Sequence, residues 1–329
     1  MNVDRLQNFL EPLSRRLPRV ACLAAVLFAG SLTAAEPAAL RVYFIGNSVT
    51  DTVRYGELAK LTAARGVRLD WGRTMIPGAP LEWIYTHPDE GFQQEPYGRW
   101  RKGLTEYAWD AVSLQPFDRH LRAVNNDGRD LGDVALVREF AALAARRNPD
   151  VQVYIYARWP RVTSGGRSIP FDKNDYDPAK PGSGNDLARV DDFAGRWEMK
   201  YTGGWDNSNE GREYFDALLR EARKETPFLR KKPLLVPVGH VMNELHRRMK
   251  AGEVPGYRSI HQLYRDGIHL GEAGSYLVGC TFFATMLRQS PVGLPSAPYG
   301  KIDPALAQTI QKTVWDVVSK HPDAGVATP

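Results

Sequence analysis

The sequence predicts an α/β fold in which helices cover both faces of a mainly parallel sheet. Three observations carry that prediction: short β-rich runs alternate with helical stretches, the β-rich runs are almost continuously apolar, and no internal repeat is present. Alternation of this kind pairs parallel strands through crossover helices. A strand that is apolar at nearly every position, rather than every second one, is buried on both faces.

The first strand is Arg41 to Gly46 (RVYFIG), ended by a glycine, and a helix is predicted over Tyr55 to Arg65. Val67 to Trp71 forms the second strand. The helix Tyr97 to Tyr107 leads into the third, Asp110 to Gln115 (DAVSLQ), and the helix Val134 to Arg147 into the fourth, Val151 to Arg158 (VQVYIYAR). Arg212 to Lys224 is helical and precedes the fifth strand, Pro233 to Gly239 (PLLVPVG). Val241 to Ala251 and Glu272 to Leu287 are the last predicted helices. In such sheets function sits at the carboxyl ends of strands, which directs attention to the loops after Gly46, Gln115, Arg158 and Gly239.

One stretch breaks the alternation. From 162 to 210 the chain is rich in Gly, Asp, Asn and aromatic residues and has little periodicity, the composition of a lid or binding loop inserted in a compact domain. Its Trp197, Tyr201 and Trp205 are placed either to stack on a sugar or to fasten the loop to the body. Asp172, Asn174, Asp175 and Asp177 hint at a calcium loop, but Tyr176 takes a ligand position and no glycine follows, so no metal is expected.

Composition narrows the function. With 329 residues, 43% hydrophobic and 25% charged, the chain is neither collagen, coiled coil nor acidic tail. A chain of this size buries roughly 75% of its unfolded surface and needs no disulfide or metal to form a core. The net charge of +5 is small and mixed in sign, without the concentrated basic face that nucleic acid requires. Arg230-Lys231-Lys232, the densest basic run, reads as a solvated segment ahead of a strand.

Residues 1–35 read as a secretory signal: Arg15, Arg16 and Arg19 precede the apolar run Val20 to Ala35, which ends in small residues before Glu36-Pro37. That run is about 16 residues long, short of the roughly 20 that span a bilayer. The expectation is a periplasmic or secreted protein with no stable membrane anchor after cleavage, its residues 36–329 forming a single domain with the insertion at about 162–210. Cys22 leaves with the signal. Cys280, in the apolar setting SYLVGCTFFATM, reads as a core residue.

Two segments carry chemistry. In Phe44-Ile45-Gly46-Asn47-Ser48-Val49-Thr50-Asp51 an apolar strand breaks at Gly46 and presents Ser48 where the next helix begins. There a hydroxyl meets unpaired backbone N–H groups and a helix dipole that can hold developing negative charge. Ser48 with Asp51 three residues on also fits a helix capping box. The second segment is Asp266-Gly267-Ile268-His269-Leu270. Its spacing lets a carboxylate orient an imidazole in one turn, leaving the ring to activate a serine brought from elsewhere; read alone, it is equally a plain turn with a surface histidine.

IGNSVTD near the start and DGIHL near the end together resemble the SGNH, or GDSL-type, hydrolase superfamily of secreted esterases and deacetylases. The likeness covers most of the mature chain as short, ordered blocks. It implies a flavodoxin-like three-layer α/β/α sandwich around a mainly parallel five-stranded sheet, with Ser48 as nucleophile and Asp266 and His269 completing a triad. It also implies an oxyanion hole from the backbone of Ser48 and from a glycine, matched by Gly78 in MIPGAPLEW with Gly72 as the rival. The family's third block usually reads GxND, where its Asn donates to the oxyanion. This chain has Ser113-Leu114-Gln115-Pro116-Phe117-Asp118 instead, and the Gln115 amide is expected to replace that donor or to brace the loop. Asn47, Trp159 and Trp205 are the candidate substrate contacts.

The resemblance implies no cofactor, and its substrate is a small-molecule or polysaccharide ester, with acylated carbohydrate favoured by export and the aromatic loop. The missing GxND block leaves a non-catalytic carbohydrate-binding or structural module as the alternative. Other motifs are weaker. His240 and Glu244 stand four apart without a third ligand, His87 and His120 follow Gly78 and Gln115 at positions that line a cleft, and Gly182-x-Gly184 lacks the strand and glycine of a nucleotide loop.

Overall fold

The computed structural model describes residues 38–161, 163–164, 167–168, 193–204 and 206–326. Its strands are β1 (Ala38–Gly46), β2 (Val67–Met75), β3 (Phe92–Gln93), β4 (Ala111–Leu114), β5 (Gln152–Tyr156), a small separate pair β6 (Thr163–Ser164) and β7 (Arg167–Ser168), and β8 (Leu234–Val236). The helices are α1 (Tyr55–Ala63), α2 (Leu81–Thr86), α3 (Trp100–Glu106), α4 (Asp133–Arg147), α5 (Phe193–Trp197), α6 (Arg212–Glu225), α7 (Val238–Lys250), α8 (Glu272–Leu287) and α9 (Pro304–Val318).

The main sheet runs β3-β2-β1-β4-β5-β8. All neighbours are parallel except β3, which pairs antiparallel through Thr74 with Gln93 and Met75 with Phe92. The sheet therefore has six strands rather than the five expected. β3 is two residues long, too short to show a period in the sequence. The five parallel strands follow the flavodoxin-like order, with the chain reversing direction across the sheet between β1 and β4.

Helices α1, α7, α8 and α9 contact one another on one face, and α2, α3, α4 and α6 on the other, giving three layers. The apolar strands agree with that covering: Val42 to Ile45 and Val153 to Tyr156 are buried throughout. α8 is apolar all round and buried from Ala273 to Thr285, the pattern of a helix packed on every side. Its Phe282 meets Phe44 of β1 at 5.8 Å and Tyr156 of β5 at 4.9 Å between ring centroids. Cys280 lies within α8 as expected of a core residue, and burial pushes its thiol up to about 12.

Some boundaries differ from the sequence expectation. The fifth strand shortens to three residues because Pro237 ends it and α7 starts at Val238, a position where proline suits a helix start. α3 begins at Trp100, after the left-handed turn at Gly98. α2 and α9 were not anticipated. α9 carried a clear signal, with Asp303 as N-cap, Pro304 at its first position and Leu306, Ile310, Val314 and Val318 on one buried stripe.

The unpatterned stretch divides in two. Residues 169–192 lie outside the described residues, together with the calcium-like acids and Gly182-x-Gly184. The part from Phe193 is folded onto the body: Phe193 and Trp197 are buried, and Tyr201 accepts the Leu121 N–H through its hydroxyl at 3.1 Å. Trp197 and Tyr201 thus fasten this segment rather than offering a surface to sugar.

Gly72 sits inside β2 with no room for a side chain. A Cβ there falls 2.6 Å from the Tyr43 ring and 2.9 Å from Trp109, so its role is to admit those aromatics and it is no oxyanion donor at a turn. Gly72→Ala is expected to lower unfolding free energy by about 1–3 kcal/mol through overpacking, as read from urea denaturation; an unchanged midpoint contradicts this account.

Candidate active site

β1 delivers the serine turn. At Gly46 a Cβ would lie 2.8 Å from the Gln115 Cβ and side-chain oxygen, so only glycine lets β4 approach this closely. The Asn47 N–H then donates to Gln115 Oε1 at 3.0 Å. Asn47 Oδ1 accepts the Val49 N–H at 2.9 Å, and its Nδ2 donates to the Ala79 carbonyl at 3.1 Å. These bonds shape the turn around Ser48 and tie it to the loop carrying Gly78. Asn47 is fully buried, which makes it a brace for the turn and not a substrate contact.

Ser48 does not cap a helix. A 3-10 turn, Thr50–Val53, intervenes before α1 and carries no side-chain cap. Asp51, the second half of the suspected capping box, accepts Arg73 Nη1 at 2.6 and 2.7 Å and the Tyr55 hydroxyl at 2.8 Å. The Ser48 hydroxyl is left for another partner.

That partner is His269. The ring Nε2 lies 2.8 Å from Ser48 Oγ across 221 positions of sequence. The other ring nitrogen, Nδ1, is 2.8 Å from Asp266 Oδ2 and 3.0 Å from Oδ1. With Nδ1 protonated and held by the carboxylate, Nε2 presents a lone pair to the hydroxyl. Asp266 Oδ1 also accepts the N–H groups of Ile268 at 2.9 Å and His269 at 2.7 Å. Partial burial on its own raises this carboxyl, but the ring and the two backbone donors outweigh it and hold Asp266 at about 2.

The turn is supported from below by β5. The Trp159 indole N–H donates to the Ile268 carbonyl at 2.8 Å, and the Tyr264 hydroxyl to the Pro160 carbonyl at 2.8 Å. Trp159 is completely buried. The expectation that it contacts substrate is therefore corrected: a large ring with one polar edge is used here as a prop. Trp205 lies outside the described residues.

The oxyanion candidates separate. Gln115 is fully buried, its Oε1 committed to Asn47 and its Nε2 donating to the Pro116 carbonyl at 2.8 Å. It braces the strand end, so the expected replacement for the missing Asn is not made. By contrast, the N–H groups of Ser48 and Gly78 donate to no acceptor among the described residues. Gly78 is exposed, with a left-handed φ of 69° that glycine adopts without strain. A small cavity of 160 Å³ opens beside Ser48 and His269, lined also by Thr52, Arg54, Arg265 and Leu270.

Sequence reasoning missed a charged cluster at the ends of β4 and β5. Arg158, with no exposed side-chain surface, reaches Glu210 at 3.2 Å and Asp118 at 3.3 Å. Arg161 pairs with the same two carboxylates, and the Phe117 ring packs under both guanidinium groups at 4.6 and 5.1 Å. The loop after Arg158 was flagged by sheet topology, but residue type alone gave no sign of Glu210. The remaining histidines are engaged elsewhere. His87 stacks on Trp83 at 3.8 Å, and His240 packs on Trp197 and His321 while Glu244 turns to Arg247 and Arg248. Among the described residues no group of three or more His, Cys, Asp or Glu side chains is placed to hold a metal ion.

Fold and geometry define an α/β protein with a serine-histidine-aspartate array at the switch point of its sheet. No family model matches the sequence, and no curated protein matches it. Among solved structures, a DUF4886 family protein from Bacteroides uniformis aligns over 87% of this chain and 96% of its own, at 17% identity and a TM-score of 0.55. A Parabacteroides merdae protein described as a "putative GDSL-like lipase" aligns over 74% of this chain and 94% of its own, at 12% identity and a TM-score of 0.38. The first of these likenesses shows a shared fold.

Two outcomes test the site's physics. A carboxyl held below its ordinary value stabilises the fold above that value, and the contribution disappears as pH falls through the folded value. The stability gap between wild type and Asp266→Asn is thus expected to be full at neutral pH and to close between about pH 4 and pH 2, as read from urea midpoints. Trp159→Phe keeps the ring and loses the bond to Ile268, which is expected to lower stability by about 1 kcal/mol; no change in the denaturation midpoint contradicts the prop.

Proposed function

We propose that the chain is an exported serine hydrolase of SGNH type that cleaves short acyl esters from carbohydrate. The observation that carries the reading is the unbroken line from Asp266 Oδ2 through His269 to Ser48 Oγ, assembled from opposite ends of the chain with 2.8 Å at each of these two steps. A serine hydroxyl is a weak nucleophile until a base removes its proton, and this arrangement supplies the base and the group that orients it.

In the first half-reaction His269 Nε2 takes the proton of Ser48 as Oγ attacks the ester carbonyl. The negative charge that develops on the carbonyl oxygen is received by the N–H groups of Ser48 and Gly78. As the tetrahedral intermediate collapses, the C–O bond breaks and His269 returns the proton to the departing sugar hydroxyl, leaving an acyl-serine. In the second half-reaction His269 deprotonates water, which attacks the acyl carbon; the bond from that carbon to Ser48 Oγ then breaks, His269 returns the proton to Oγ, and the acid is released. Asp266 remains ionised throughout and stabilises the imidazolium formed in each half.

A short acyl group is our reading because the space beside Ser48 is small, about 160 Å³. The apolar segment ahead of residue 36 supports export, and the polar groove described below supports a sugar in the leaving group.

Ser48→Ala and His269→Ala are each expected to reduce kcat/KM for p-nitrophenyl acetate by about 10⁴-fold or more, with little added loss in the double variant because the residues act as a unit. Equal rates for wild type and Ser48→Ala overturn the reading and favour a binding module that retains the fold.

A further inference from the structure

A second, larger depression of 790 Å³ adjoins the serine cavity, within the size range of ligand pockets. The two share Arg54, Arg265 and Leu270, which border both. Beyond them the groove is lined by Tyr257, Glu272, Lys301 and Asp303.

The charges on its walls are unequally engaged. Glu272 accepts the Lys301 N–H at 3.0 Å, and Asp303 accepts the N–H groups of Ala305 and Leu306 at the start of α9. Asp51, in the serine cavity, is paired with Arg73. The acidic groups are thus occupied by donors of the protein itself. The cations keep donors to spare: Arg265 is exposed with Asp266 at 3.7 Å, Arg54 commits one N–H to the Tyr299 carbonyl, and the Lys301 ammonium has no partner among the described residues. Arg54 also holds a left-handed φ of 50°, a conformation disfavoured for a side chain of its size. That conformation closes the Thr50–Val53 turn, with the Arg54 N–H donating to the Asp51 carbonyl at 3.0 Å.

We infer that this groove binds an anionic oligosaccharide chain, with a charged sugar near the scissile ester held by Arg54 and Arg265 and the next charge met by Lys301. Arginine presents a planar fork that matches carboxylate and sulfate oxygens, and lysine adds a point charge. Tyr257, half-buried on the groove wall, supplies a flat face for a sugar ring. The placement of the ester rests on the hydrolase reading of Ser48, whereas the charge preference does not.

The test is calorimetric titration of full-length Ser48→Ala protein with oligogalacturonate, a sulfated oligosaccharide and a neutral oligosaccharide of equal length, at low and high salt. The expected result is binding of the anionic chains at least about tenfold tighter than the neutral one, weakening with salt as exposed charge contacts do. The stronger of the two anionic ligands identifies carboxylate or sulfate as the preferred group. Adding Lys301→Glu and Arg265→Glu is expected to erase the preference, and the milder Lys301→Gln to reduce it. Equal affinity for charged and neutral chains overturns the inference. Turnover of p-nitrophenyl acetate by the serine-intact protein separates the two readings: turnover without charge preference removes the groove assignment alone, and charge preference without turnover removes the hydrolase assignment alone.

Discussion

The carboxylate of Asp266 accepts the N–H groups of Ile268 and His269 and the ring N–H of His269, so one group sets both the backbone of the turn and the direction of the imidazole. A side chain that bonds its own backbone two and three residues on commonly builds a turn; here the same atoms also choose the histidine tautomer. The remaining supports act on this unit as a whole. Trp159 and Tyr264 fix it to the end of β5, and the bridge between Tyr264 and Leu270 closes its base. On the facing side, Gln115 and Asn47 hold the serine turn to β4 and to the Gly78 loop. Gln115, though long, is buried and bonded through both ends of its amide, so the serine turn is held in place.

Much of this was legible before any coordinates. Nearly continuous apolar runs identified four of the five parallel strands, β2 alternating as Val67-Arg68-Leu69-Asp70-Trp71 and being only partly buried, and topology then pointed to their carboxyl ends. The juxtaposition of Ser48, His269 and Asp266 was legible because each lies in a short, local motif of restricted residue type. The remainder was decided by tertiary contacts. Gln115 has the chemistry of an oxyanion donor, and only its approach to Gly46 turns that amide inward. Trp159 has the chemistry of a sugar platform, and only the position of Ile268 shows which edge is used. β3 is too short to announce itself, while the stripe on α9 was present and went unread.

The Arg158 cluster shows how the insertion is held. A fully buried guanidinium needs a carboxylate at hand, since an unpaired charge in the interior costs several kcal/mol. Glu210 arrives from the far end of the inserted stretch to satisfy it, and Arg161, at the near end, takes the same carboxylate and Asp118. Both ends of the insertion are therefore anchored at one point beside the carboxyl edge of the sheet. Whatever path the chain takes between them, it leaves and returns next to the candidate site.

Helix α8 starts directly after the histidine turn and runs beneath β1, the strand that carries the serine, with Phe282 wedged against Phe44 and Tyr156. The serine turn and the histidine turn thus rest on the same slab of aromatic interior instead of on separate lobes.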